Sequence, residues 1–306
     1  MEACECGKSL GNTGEPNCQP IFKDLKKLIV VPMQADDGTD NYIDLDTPIT
    51  QSIIDGWINN ADPSKRFYPL PIMEDVGGER AASLVQTSAG GTKNRLKQGE
   101  RTANGSLWNQ SPQFLGQLET MACRKIGIFM MDSAESIQGT KKEAFPRRLY
   151  PIRVNENSWD PILVFAVDGT NTQMINLAWD FHTSEQDKNL RMIIASEYVG
   201  DLYTQDGLLD IFAEFSAITT TGFTAKLFSL YGTAGESQPD TGLLITDFDI
   251  NNVTDDLPIT ILTMTESPDG TYTFTFAAQG AGEDYQLIPS KTGRDYTAVS
   301  DEVIPG

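Results

Sequence analysis

Apolar positions along the chain fall in short runs divided by turn clusters, a texture of strands rather than long helices. Leu28-Ile29-Val30-Val31-Pro32 is a β-branched run closed by proline and predicts a strand. Asp36-Asp37-Gly38-Thr39 reads as a turn into a partner strand over Tyr42–Leu45. In the next segment Ile49, Ile53, Ile54, Trp57 and Ile58 fall on one helical face. Thr47 stands as its cap and Pro48 at its first position, and Asn59–Pro63 ends it.

The stretch Glu79–Trp108 alternates loosely, is rich in Ser, Thr and Ala, and has Gly90-Gly91 near its middle. It predicts a long hairpin, out over about Arg80–Ser88 and back over about Lys93–Leu107. So few of its residues are large and apolar that both faces cannot be buried within one copy. One face must meet water or another subunit.

Ser111-Pro112 opens a second helix, with Phe114, Leu115, Leu118, Met121 and Ala122 as its apolar face. Ile126–Met131 is a strongly apolar strand. Further strands are expected at Leu149–Val154, Ile162–Val167, Met174–Phe181 and Leu190–Ile194.

From Leu208 onward the texture changes. Runs at Leu209–Phe215, Phe223–Leu230, Leu243–Ile250, Ile259–Met264, Tyr272–Phe276 and Tyr285–Pro289 recur between turn clusters, as in an antiparallel sandwich. The predicted fold class is mainly β. Residues 1–20 form an extended arm of Gly and Pro with almost nothing apolar. Residues 21–204 form an α+β assembly domain, a small sandwich or barrel with a long hairpin and one or two helices. Residues 205–306 form an immunoglobulin-like β-sandwich without a Cys pair.

At 306 residues the chain suits two domains, and its 22% charged and 39% hydrophobic content can bury real cores. The net charge of −20 argues against a surface that binds nucleic acid or anionic membrane as a whole. That charge is uneven. Residues 80–148 hold 11 Lys/Arg against 5 Asp/Glu, whereas residues 205–306 hold 3 against 16. Opposed patches on one chain suit contact between copies, and equally suit plain solvated faces. No run of 18 apolar residues exists, so no membrane-spanning helix is expected. The start, Met-Glu-Ala-Cys-Glu-Cys-Gly, has neither basic nor apolar character, which reads as an unprocessed product made in a cytoplasm.

Chemistry-bearing motifs are sparse. Cys4, Cys6 and Cys18 lack the paired knuckles of a zinc ribbon; free thiols, a bridge from Cys18, or a metal site completed by Cys123 all remain open. The one histidine, His182, cannot build a His-rich metal site and reads as structural. Ser88–Lys93 is a hairpin turn rather than a phosphate loop, since it lacks the first Gly and a Ser or Thr after Lys93. Asp36–Asp40 lacks EF-hand spacing, and Asp247, Asp249, Asp255 and Asp256 read as solvated turns before a weak calcium site. Trp57, Trp108, Trp159 and Trp179 fit a ligand cleft or, more simply, core and interface anchors. No catalytic, cofactor or metal residue is assigned, and no enzyme is expected.

The arm Cys4–Leu10 with Asn17-Cys18 and the segments Lys65–Pro71, Gln110–Gly116 and Asp187–Arg191 resemble structural proteins of tailed bacteriophages of Bacteroidetes-type hosts. The order of a long hairpin, a helix and strands closing a small sandwich resembles the tail tube family. That resemblance implies hexameric rings that stack, hairpins joined into a lumen barrel through which DNA passes in transient, non-specific contact, other tail proteins as partners, and an outer immunoglobulin-like domain. It places the protein in the virion, made in the host bacterial cytoplasm. It also implies an acidic lumen, whereas the hairpin carries Arg80, Lys93, Arg95, Lys97 and Arg101. These residues, with Trp108 and the arm cysteines Cys4, Cys6 and Cys18, are the candidate assembly residues; either the basic ones face the next subunit or Glu79–Trp108 is not the lumen hairpin. The alternatives are another virion part (a capsid decoration or neck protein) and a carbohydrate-binding adhesin.

Overall fold

The computed structural model describes residues 21–166, 172–233 and 236–306. The arm and its cysteines lie outside the described residues. The chain is mainly β, with three short α-helices among the described residues.

Two strands organise the N-terminal part. Leu25–Pro32 and Ile126–Asp132 pair antiparallel at the centre of an eight-stranded sheet. Both are buried on both faces, which is why they read as unbroken apolar runs rather than alternating ones. Ile29, Val31, Phe129 and Met131 point to one side, where the helix Gln51–Ile58 covers them with Ile54 and Ile58. Leu28, Val30, Ile128 and Met130 point to the other, onto a four-stranded sheet and the helix Pro112–Glu119. That four-stranded sheet runs in the order Asp160–Val164, Met174–Asp180, Arg101–Trp108, Glu74–Arg80, and contributes Ile175, Leu177, Trp179 and Leu107 to the shared core.

Local chemistry sets the second helix. The Ser111 side chain accepts from the Phe114 N–H, Pro112 occupies the first turn, and Leu118 is buried. The Leu118 carbonyl accepts the indole N–H of Trp159 at 3.1 Å, which fixes the helix over the end of the sheet.

Two expectations for the N-terminal part are corrected. The first helix starts at Gln51 after Thr50, not at Pro48 after Thr47. The Ile43–Asp44 segment pairs with Arg148 and Leu149, not with the first strand. That strand, buried on both faces, takes the apolar Ile126–Asp132 and Tyr68–Pro69 as neighbours, while the polar segment after Met33 is left to the surface.

One charged residue lies inside the first strand. Lys27 is 1% exposed, and its ammonium donates to the Tyr203 and Gln205 carbonyls at 2.7 and 2.5 Å. Burial lowers its pKa, and the two carbonyls supply the partners a buried charge requires. Lys27 thereby ties the first strand to the segment leading into residues 209–304.

Those residues build two main sheets, with a small parallel pair Leu209–Asp210 and Arg294–Asp295 beside them, over a core of their own centred on Phe223, Phe248, Phe274 and Tyr285. Strands Phe212–Thr219, Gly222–Thr233, Thr271–Phe276 and Ile261–Glu266 form one sheet, with a fifth, Glu236–Pro239, on Gly222–Thr233. Phe248–Asn252, Leu257–Ile259 and Tyr285–Pro289 form the other. This sandwich is fastened to the N-terminal part at several points. Arg66 and Asp295 form a largely buried ion pair. Gln117 donates to Asp210 and accepts from the Tyr231 hydroxyl, each at 2.9 Å. Burial would raise the Asp295 carboxyl, but hydrogen bonds from Thr297 and Arg66 outweigh it and hold its pKa below the ordinary value. No helix among the described residues is long and apolar enough to cross a membrane.

Candidate assembly surface

The expected hairpin is present, built in two stages. Its base is the pair Glu74–Arg80 and Arg101–Trp108, part of the four-stranded sheet. Its tip is the separate pair Leu84–Thr87 and Lys93–Lys97. Between them the legs come very close: a Cβ on Gly99 would sit 1.7 Å from the Ala81 carbonyl oxygen, so only glycine fits there. Every residue from Leu84 to Gln98 is exposed. Leu84, Val85 and Leu96 are among them, at 60%, 44% and 53%. An isolated two-stranded ribbon has no apolar face to bury and is marginal by itself.

Register sorts the base into two faces. Ala103, Gly105 and Leu107 turn toward the core with Ile175, Leu177 and Trp179. The opposite face is open and reads as four rows across the sheet. The row farthest from the tip is Val164, Met174 and Trp108. Next come Ile162, Asn176, Ser106 and Glu74, with Ser106 donating to Asn176 at 2.9 Å. The third is Asp160, Ala178, Asn104 and Gly77. The row nearest the tip is Asp180, Thr102 and Glu79. The face therefore grades from apolar to acidic; its own rows hold no basic residue, but the Lys26 ammonium from the first strand pairs with Glu74 at 2.9 Å. Burial, then the nearby charge of Glu100, raises the Asp180 pKa.

The basic candidates lie elsewhere. Arg80 and Arg101 pair across the base on the other face, and both reach Asp187 at 2.8 Å. Arg101 also stands over the Phe181 ring at 5.4 Å. Lys97 pairs with Glu100 at 3.0 Å. Lys93 and Arg95 make no ion pair among the described residues and project from the tip. The structure brings Arg80 and Arg101 together, sets Lys93, Arg95 and Lys97 apart at the tip, and puts Trp108, 43% exposed, at the far end.

The tryptophans do not share a cleft. Trp159 and Trp179 pack in the core with ring centroids 6.2 Å apart, and Trp57 stacks on Phe67. His182 is half-buried, with Nδ1 against the Ser184 hydroxyl at 2.7 Å; burial lowers its pKa. Cys123 is free and exposed. Among the described residues no group of three His, Cys, Asp or Glu is placed to hold a metal ion.

Both outer strands of the four-stranded sheet, Glu74–Arg80 and Asp160–Val164, have a sheet neighbour on one side only. Such edges are ready to pair with another chain. Sequence reasoning missed Asp187 and the acidic rows. Asp187 lies 86 positions from Arg101 in the chain, and the rows come from strands whose register no local pattern reveals.

No protein-family model matches the chain, and no curated protein matches it.

Proposed function

We propose that this chain is a structural virion protein. Copies join side by side into a ring, the rings stack, and the product is the tail tube of a bacteriophage. The observation that carries the reading is the four-stranded sheet: two unpaired edges, one solvent-facing surface of small and acidic residues, and a hairpin that leaves the body with nothing to pack on. Pairing of the Glu74–Arg80 edge of one copy with the Asp160–Val164 edge of the next removes both edges in a closed barrel.

In such a barrel the open face lines the lumen. Glu79, Asp160 and Asp180 then repel the DNA phosphates and keep their contact with the wall transient, as a conduit requires, whereas Glu74 is neutralised by Lys26. The basic side chains Arg80 and Arg101 sit on the other face of the sheet, so the positive charge of the hairpin's base does not oppose this role. The sandwich of residues 209–304 decorates the outside.

Negative-stain microscopy of the purified protein at high concentration tests the reading. Rings of fixed diameter, alone or stacked, are expected, and closed shells or single particles would contradict it. Pairs of cysteines placed at residues 79 and 162, both on the open face, should cross-link neighbouring copies within a ring under mild oxidation.

A further inference from the structure

The two ends of the four-stranded sheet are chemically different, and each carries an unburied apolar group. At one end the tip presents Leu84, Val85 and Leu96 to solvent. At the other end the outermost row presents Trp108, with Ile72 at 43%, Ile162 at 53% and Phe165 at 67% exposure around it, and Met174 and Val164 half-buried between them. Strand direction fixes their separation. Glu74–Arg80 runs toward the tip and Arg101–Trp108 runs away from it. The eight residues of the returning strand, at about 3.4 Å each, place the Trp108 row roughly 24 Å from the point where the tip departs. The tip cannot fold back onto that row within its own copy.

We propose that the hairpin tip of one copy seats on the Trp108 row of the next, head to tail along the tube axis. Two surfaces at opposite ends of one molecule make a heterologous contact, which repeats without closing and so builds a filament from a single chain. Charge agrees with this occupant. The tip carries Lys93, Arg95 and Lys97, and residues 81–99 contain no acid. Of the acids in the rows beside the Trp108 end, Asp160 makes no ion pair among the described residues, while Glu74 is held by Lys26 at 2.9 Å. Side chains of Leu, Val and Trp close to water while lysine and arginine reach carboxylates at the rim, the usual division between the core and rim of an interface. Trp108 at the centre is the residue type that most often anchors one.

This inference rests on the stacked-ring reading but concerns only the contact between rings, so the two can fail separately. A photo-reactive benzophenone amino acid replaces Leu96, and isotopically light and heavy copies are mixed, assembled, irradiated and analysed by peptide mass spectrometry. Light–heavy cross-links to peptides bearing Ile72, Trp108 or Ile162–Phe165 are expected. Rings without those cross-links overturn the tip contact and leave the ring reading standing. Filaments with those cross-links but no ring in projection sustain the contact and overturn the ring. Assemblies cross-linked elsewhere, or no assembly at all, overturn the contact.

A second pair of variants guards against a misfolded product. Trp108→Ser and Leu96→Glu, each with unchanged circular dichroism, should form single rings with stacking weakened at least about tenfold, the scale of losing one interface anchor. Tubes of wild-type length from both overturn the proposal.

Discussion

Arg80 and Arg101, paired across the base of the hairpin, both donate to the same carboxylate oxygen of Asp187, each at 2.8 Å. Asp187 belongs to the loop between the strands Met174–Asp180 and Leu190–Ile193, so one acidic residue outside the hairpin holds both of its legs. The fork sits where the base of the hairpin ends and the exposed tip begins.

Asp187→Ala should therefore free the tip without unfolding the body. These ion pairs are partly exposed, so the cost in global stability is about 1 kcal/mol or less. Hydrogen exchange should quicken at the hairpin base, over Glu79–Ala81 and Glu100–Thr102, while Leu28–Val31 stays protected. Unchanged exchange at both sites would show that the fork does not aim the hairpin.

Gly99→Ala should be far more damaging to assembly than to folding. The added methyl would stand 1.7 Å from the Ala81 carbonyl oxygen, a backbone atom that can yield only by parting the legs. The expected result is a soluble chain with native circular dichroism that forms no rings. Normal rings from this variant would mean that the close approach of the legs is dispensable.

Arg66→Met should cost about 3 kcal/mol in chemical denaturation, because it leaves the Asp295 carboxylate largely buried without its cation. The double variant Arg66→Met with Asp295→Asn should recover most of that loss. A double variant no better than the single one would show that the pair does not fasten the C-terminal sandwich to the N-terminal part.

The protein should lose stability in alkali between about pH 10 and 12. Burial pushes the phenols of Tyr198 and Tyr272 up to about 12 from an ordinary 10.0. In this window the unfolded chain releases its phenolic protons while the folded chain keeps them. The unfolded state then binds fewer protons, and stability falls as pH rises. The folded phenols are held as donors, Tyr198 to the Glu135 carbonyl at 2.6 Å and Tyr272 to the Asp240 carbonyl at 2.9 Å. Tyr272→Phe should cost about 1 kcal/mol at neutral pH and flatten the alkaline slope. An unaltered slope would assign the effect to other groups.

Much of this architecture was legible in the chain. The Ser111-Pro112 cap, the unbroken run at Ile126–Met131 and the sparse, small-residue stretch around Gly90-Gly91 each state a local rule that the fold obeys. The legible part of the assembly surface was its lack of apolar content. What stayed hidden depends on distant partners. Lys27 looks like an exposed strand lysine until Tyr203 and Gln205 bring their carbonyls over it. Ile43 looks like half of a local hairpin until Leu149 takes it. The acidic face of the sheet appears only once four strands fall into register, because alternation in one strand does not say which neighbours share its side.

Amide hydrogen exchange at Leu84–Gln98, followed from micromolar to millimolar protein, bears most directly on the claim that this ribbon is completed by other copies. Rapid exchange in dilute solution, turning to strong protection as rings form, is the expected result. Protection already complete in a dilute monomer, or absent in the concentrated assembly, would contradict it.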